Sequence, residues 1–181
     1  MSAADDDPLP DVVGSVGERP EHAVWPSDHR LAQAIELGFR YLDRRARTVG
    51  EMRRHLEHKR VEASVADRAL DTLIEDGYLD DARFARLFVQ DKRELELWGA
   101  DRIERALLGR GVDRELVESA LAPPDSDGEL GRALALLRRR LRSAPRDRRE
   151  RNRALGVLLR KGFDPELALE AVLAFAREAG E

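Results

Sequence analysis

Leu56-Glu57-His58-Lys59-Arg60-Val61, Leu107-Leu108-Gly109-Arg110-Gly111-Val112 and Leu158-Leu159-Arg160-Lys161-Gly162-Phe163 are the same segment met three times, each 51 residues after the last. The register continues without a gap. Val65, Leu116 and Leu167 align, as do Ala69, Ala120 and Ala171, and then Leu70, Leu121 and Val172. A fixed period of this size marks stacked supersecondary units, each too small to bury its own apolar face alone. Function is therefore expected on the outside of a helical array.

The composition agrees. The chain has 181 residues, 38% of them charged and 5% aromatic, which suits surface-rich helices better than a thick core. Cysteine is absent, so a disulfide framework, a thiol nucleophile and a thiolate metal site are excluded; a reducing cytoplasm fits. No apolar run approaches the ~20 residues of a membrane span, and the N-terminus lacks the basic-then-apolar order of a signal peptide.

Charge is unevenly placed. Residues 1–28 hold seven acids against Arg19, a net of −6, whereas the whole chain is −4 and residues 29–181 therefore carry +2. Arg138 to Arg153 contains nine arginines and two acids, a local +7. Partners respond to such local fields rather than to the average.

Residues 1–28 mix Asp, Pro and Gly with no apolar period and read as a disordered acidic tail, with Trp25 its one candidate anchor. From Asp28 the pattern is helical: Leu31, Ala34, Ile35, Gly38, Tyr41 and Leu42 form one stripe. Thr48 and Glu51 have the spacing of a capping box. A third helix is expected from Ser64 to Asp76, with Val65, Ala69, Leu70, Leu73 and Ile74 inward and Gly77 at the C-cap. In the second unit, helices start at Asp81, near Gly99-Ala100 and after Asp113, and Pro123-Pro124 ends it. In the third, Leu130, Leu134, Leu137 and Leu141 make a stripe that Pro145 breaks. A helix from Asp147 to Lys161 follows, and Asp164-Pro165 opens the last one. The expected fold is all-α: three tandem three-helix repeats (29–80, 81–124 and 125–181) in an elongated, curved nine-helix array behind the tail.

Gly77-Tyr78-Leu79-Asp80-Asp81-Ala82-Arg83-Phe84-Ala85 has a structural reading first. Asp80 suits an N-cap, Leu79 and Phe84 the two positions of a hydrophobic staple, and Asp81 the positive end of a helix dipole. Tyr78 is then expected to pack between repeats with its hydroxyl near water. The motif reads as a joint rather than a contact site.

The same nine residues resemble the signature of the RecX regulatory family, Gly-Tyr-Leu-(Asp/Asn)-Asp-x-Arg-Phe-Ala, found between its first and second repeats. Arg47-Thr48-x-x-Glu51-Met52-Arg53-x-x-Leu56, Gly99-x-x-Arg102-Ile103-x-x-x-Leu107 with Gly111-Val112, and Leu158-x-x-Lys161-Gly162-Phe163 resemble the family's three repeats, over residues ~29–178. Arg60 departs from the pattern, standing where the first repeat often ends in Lys-Gly. The resemblance implies a regulator that binds the filament of a RecA-type recombinase on single-stranded DNA; a cytoplasmic monomer without catalytic activity is expected. The resemblance also implies damping of ATP hydrolysis, strand exchange and coprotease activity, in DNA repair, recombination and the SOS response.

The residues point to where such contacts would lie. Arg138, Arg139, Arg142, Arg146, Arg149 and Arg153 form the denser candidate face, with Arg138 and Arg142 one helical turn apart. Arg40, Arg44, Arg47, Arg53 and Arg54 form a second row. Guanidiniums bind phosphate and carboxylate through paired donors and stay charged at any relevant pH. The alternative for either row is a solvated face with weak ion pairs. Few aromatics interleave, so base stacking is not expected. His55 and His58 lack both the spacing of zinc hydrolases and a third ligand, and no phosphate-binding glycine loop exists; neither metal nor cofactor is expected. The rival reading is an independent nucleic-acid-binding helical-repeat protein.

Overall fold

A computed structural model describes residues 26–122 and 126–178. Among them run α1 (Pro26–Leu42), α2 (Val49–His58), α3 (Ala63–Glu75), α4 (Asp81–Glu94), α5 (Ala100–Gly109), α6 (Arg114–Leu121), α7 (Ser126–Arg140), α8 (Arg148–Arg160) and α9 (Pro165–Arg177), and no strand. Trp25, most of the acidic tail and Pro123-Pro124 lie outside the described residues.

Each successive trio of helices packs on itself: first against third, with the second against both. Three separate cores result. They repeat the 51-residue register at further positions. Met52, Ile103 and Ala154 are fully buried equivalents, as are Ala34, Ala85 and Leu136, and Ala66, Val117 and Ala168. Leu56, Leu107 and Leu158 are all at 0% exposure and form the shared centre of each unit. Burying one such side chain is worth about 1.5–3 kcal/mol. Gly38 lets α1 and α3 approach, since a Cβ there would sit 2.9 Å from Leu73 Cδ1.

The helix ends show why the sequence repeats. Thr48 accepts from the Glu51 amide (3.0 Å) while the Glu51 carboxylate takes the Thr48 amide (3.3 Å), the expected capping box. Asp80, Asp113, Asp147 and Asp164 cap α4, α6, α8 and α9. At the other end, Gly77, Gly111 and Gly162 take positive φ (74°, 84° and 82°). Each closes a Schellman turn: Gly111 N–H donates to Leu108 O and Val112 N–H to Leu107 O, and the Gly77 and Gly162 turns match.

Arg60 builds the same turn without glycine, at φ 60°, with its N–H on Glu57 O (2.8 Å) and the Val61 N–H on Leu56 O (3.1 Å). Left-handed backbone costs a non-glycine residue about 1–2 kcal/mol, partly offset by the extra freedom glycine loses on folding. Arg60→Gly is therefore expected to stabilise the chain by about 0.5–1 kcal/mol, read as a higher urea midpoint at unchanged m-value.

Four expectations are corrected. α1 begins at Pro26, so Pro26 and Ser27, placed in the tail, belong to the helix expected from Asp28, and Asp28 lies 3.6 Å from Arg68. Ile74 is 43% exposed; it falls in the last turn of α3, past the ridge that meets α1. α7 stops at Arg140, five residues before Pro145, so Arg138 and Arg142 are not neighbours on one helix. Tyr78 is not buried between repeats: it is 55% exposed, sets its ring edge-on to Phe39 of its own unit, centroids 4.8 Å apart, and only borders an open groove shared with Phe84 and Leu87 of the next. The Schellman turn at Gly77 directs it back over α1.

Candidate functional site

The joints between units fix which surfaces remain open. In the first joint, the N-terminus of α2 meets the C-terminal turn of α5. Thr48, fully buried, donates its hydroxyl to Arg110 O (2.7 Å), and Arg54 Nη2 reaches the same oxygen (3.0 Å). Gly50 is required there, because a Cβ would lie 2.8 Å from Arg110 O. In the second joint, the N-terminus of α5 meets the C-terminal turn of α8. Gly99 N–H donates to Lys161 O (2.9 Å), Asp101 N–H to Gly162 O (3.2 Å) and Arg102 Nη1 to Arg160 O (3.0 Å). Thr48 and Gly99 are equivalent in the repeat, as are Arg110 and Lys161. Free carbonyls at the end of one helix are thus satisfied from the start of another, by a hydroxyl and a guanidinium in the first joint and by two amides and a guanidinium in the second, positive end to negative end.

A carboxylate completes each joint. Asp81 Oδ1 takes the Val49 amide (2.9 Å), and Glu129 Oε1 takes the Ala100 amide (3.0 Å). The second aspartate of the signature is thus an inter-unit cap. Burial pushes the Asp81 carboxyl above its ordinary value, the Val49 bond opposes this, and Asp80 and Glu51 add to the rise. Burial pushes Glu51 up as well, but hydrogen bonds from Arg45 and the Thr48 amide, with the charges of Arg45 and Arg110, bring it below its ordinary value.

A raised carboxyl pKa means the folded chain holds the proton more tightly than the unfolded one. The cost of ionising Asp81 in place is absent below the unfolded pKa and complete once pH has risen through the folded one. Asp81→Ala, which orphans the Val49 amide, is expected to cost about 1–2 kcal/mol at neutral pH. Asp81→Asn keeps an acceptor without the charge and should lose less. Denaturation from acid to neutral pH should show the Asn variant improving relative to the parent as pH rises.

A packed cation recurs beside both joints with its roles exchanged. The Arg47 guanidinium lies 3.8 Å from the Tyr41 ring centroid, whereas at the equivalent positions Lys92 lies 5.4 Å from that of Trp98. Arg102 also covers Trp98, at 4.1 Å.

The two candidate arginine rows differ in kind. In the first, Arg40 pairs with Glu36, Arg53 with Asp67, Arg47 covers Tyr41 and Arg54 braces the joint. Arg44 is exposed without an ion pair among the described residues. In the second, Arg138 pairs with Glu178, which raises its pKa through that hydrogen bond and charge. Arg139, Arg140, Arg142, Arg146, Arg148, Arg149, Arg151 and Arg153 are exposed, and none has a carboxylate within ion-pair distance among the described residues. The turn after α7 brings Arg142 and Arg153 to one small cavity of about 150 Å³, beside Ser143 and Glu150. The Glu150 carboxylate is held by the Arg146 amide (2.8 Å).

The repeat accounts for this concentration. In the first two units the start of the second helix is covered by the next unit. The start of α8 has no such neighbour among the described residues, and arginines surround it. Sequence reading missed the extension of this basic surface to the second joint. Burial, then the Arg102 charge, and further Arg140 and Arg139, lower the Lys161 pKa, while Glu96 opposes them. Those side chains come from α5, α7 and the turns that follow α4 and α8, and no spacing in the sequence relates them.

A second open feature lies between the first two units. Ala46, Tyr78, Arg83, Phe84, Leu87 and Phe88 line a groove of about 380 Å³, with Leu87 55% exposed. His55 stacks flat on Tyr41, centroids 4.0 Å apart. Among the described residues no group of three His, Asp or Glu side chains is placed to hold a metal, and no helix is long and apolar enough to cross a membrane.

Family models match the chain in tandem: the RecX first three-helix domain over residues 34–73, the second over 80–121 and the third over 127–172. The regulatory protein RecX of Mycobacterium avium (strain 104) is 38% identical over 152 residues, covering 80% of this chain and 86% of the relative. That of Trichlorobacter lovleyi (strain ATCC BAA-1151 / DSM 17278 / SZ) is 36% identical over 146 residues, covering 78% and 92%. The crystal structure of RecX from Lactobacillus salivarius superposes with a TM-score of 0.73 at 18% identity, over 83% of this chain and 98% of that one, a likeness of fold. With three tandem domain matches and relatives of this identity, the chain belongs to the RecX family of regulatory proteins.

Proposed function

We propose that this protein regulates a RecA-type recombinase by docking on the filament that the recombinase forms on single-stranded DNA, and that it acts without catalysing a reaction. The observation that carries this, on a chain of this family, is the end of the third unit, where eight guanidiniums face solvent with no carboxylate partner among the described residues. An uncompensated cluster supplies the field that steers encounter with a polyanion and bidentate donors for phosphate or acidic side chains. Arg138, Arg139, Arg142, Arg146, Arg149 and Arg153 are assigned to contact. Of the first row, Arg44 is the residue free to join them among the described residues; Arg40, Arg47, Arg53 and Arg54 serve mainly inside the unit. The apolar groove around Tyr78 and Leu87 adds a surface suited to a protein partner. This reading divides the chain at residues 80/81 and 124/125 into units that span neighbouring recombinase subunits. Binding there restrains subunit rearrangement or filament growth, and so lowers ATP hydrolysis, strand exchange and coprotease activity.

The test adds the purified protein to RecA, single-stranded DNA and ATP. ATP hydrolysis and strand exchange should both fall as the protein approaches stoichiometry with the filament. Unchanged rates at excess protein end the proposal. Tight binding to bare oligonucleotide, with log affinity linear in log salt and no preference for filaments, would instead favour the independent nucleic-acid binder.

A further inference from the structure

We propose that the acidic segment 1–25 is an internal competitor for the third unit's arginine face: its carboxylates occupy the guanidiniums of Arg142, Arg149 and Arg153 until a stronger polyanion displaces them. The proposal rests on reading that face as anion-binding. Several arginines elsewhere in the described chain have an acid close at hand: Arg30 lies 3.5 Å from Glu62, Arg68 3.6 Å from Asp28 and Arg114 3.2 Å from Glu104. The face between Arg139 and Arg153 lacks such partners among the described residues, although it concentrates the chain's positive charge. The missing acid stands upstream of Pro26. Asp5, Asp6, Asp7, Asp11, Glu18 and Glu21 against Arg19 give residues 1–25 a net of −5, in a chain whose total is −4.

Length fits the match. The 25 residues before Pro26 can extend to roughly 80 Å. Such a tether holds its charges at an effective concentration in the millimolar range, so even a weak intrinsic attraction is well populated. At physiological ionic strength the screening length is about 8 Å. The competition therefore works by contact, and salt weakens it. A filament presenting many phosphates in register wins over six carboxylates, whereas a short or sparse anion does not. The segment thus sets a threshold for what the face will bind.

The experiment compares the full chain with a full-length variant carrying D5N, D6N, D7N, D11N, E18Q and E21Q, using side-chain Nε–Hε resonances of the arginines and a fluorescent oligothymidylate. The resonances of Arg142, Arg149 and Arg153 should differ between the two proteins at low salt and converge at high salt. The variant should bind the oligonucleotide about fivefold tighter at low salt, as expected for release of a tethered competitor. Superimposable resonances with equal affinities overturn the proposal, as do shifts confined to arginines of other units. The resonance comparison contains neither recombinase nor DNA, so its failure is distinct from failure of the filament-docking reading.

Discussion

Gly162→Ala should cost the protein about 2–4 kcal/mol and loosen the third unit from the second. Two effects add. The residue sits at φ 82°, where alanine pays about 1 kcal/mol relative to glycine. Its Cβ would also lie 2.4 Å from Arg102 Cβ and 2.5 Å from Arg102 N, so α5 must move away. Overpacking against backbone typically adds another 1–3 kcal/mol. Gly77→Ala is the control. Gly77 has nearly the same φ, 74°, but nothing lies within 4 Å of its added Cβ, so only the conformational cost of about 1 kcal/mol is expected. Gly99→Ala separates the effects in the opposite sense, with φ −79° and a Cβ 2.2 Å from Gly162 O. Urea denaturation gives the magnitudes. Hydrogen exchange gives the location, through early exposure of the Gly99 and Asp101 amides while the Leu158 core stays protected. Equal losses for Gly162→Ala and Gly77→Ala would show that the joint yields freely and that the units are not held by these contacts.

The other large effect is functional. Reversing Arg139, Arg142, Arg149 and Arg153 to Glu should abolish inhibition of the recombinase while leaving the fold intact. All four are exposed and without ion pairs among the described residues. Substitutions at such positions usually stay within about 0.5 kcal/mol, and relief of crowding among the arginines works in the stabilising direction. On single strands each lost phosphate contact lowers the salt slope by about 0.7, so the number of contacts can be read from a salt titration. Reversal of Arg40 and Arg53 should have a much smaller effect on inhibition, because they are committed to Glu36 and Asp67. Retained inhibition by a folded fourfold variant would make the third-unit face ordinary solvated surface.

The arginine rows show where sequence reading reaches its limit. As spacing alone the two rows look alike. The difference is which acids fold back onto them: Asp67 reaches Arg53 from the next helix and Arg110 offers its carbonyl to Arg54 across a joint, 14 and 56 residues away in sequence. Arg138 belongs to the dense row yet is taken by Glu178, 40 residues on. Conversely Lys161 and Arg102 entered the basic surface only because α5 and α8 meet at Gly99 and Gly162. Tyr78 was misplaced for a similar reason. Its motif fixes the turn at Gly77, but the ring's neighbour, Phe39, is set by how α1 lies on α3.

Sequence by itself determined the elements and their period. Caps, Schellman turns and 3.6-residue stripes are local: a Thr48-Glu51 box or an Asp164-Pro165 start is satisfied within one turn of chain. Even Arg60 obeyed its register, because the turn's two hydrogen bonds and the packing of α2 on α3 outweighed a left-handed residue's small penalty. Tertiary structure alone decided which charges are spent. A guanidinium or carboxylate reaches several ångströms beyond its backbone and bonds whatever packing brings there, so Asp81 became a cap for Val49 and the start of α8 was left open. Local sequence encodes torsion angles; the surplus charge available to a partner exists only after the units have been stacked.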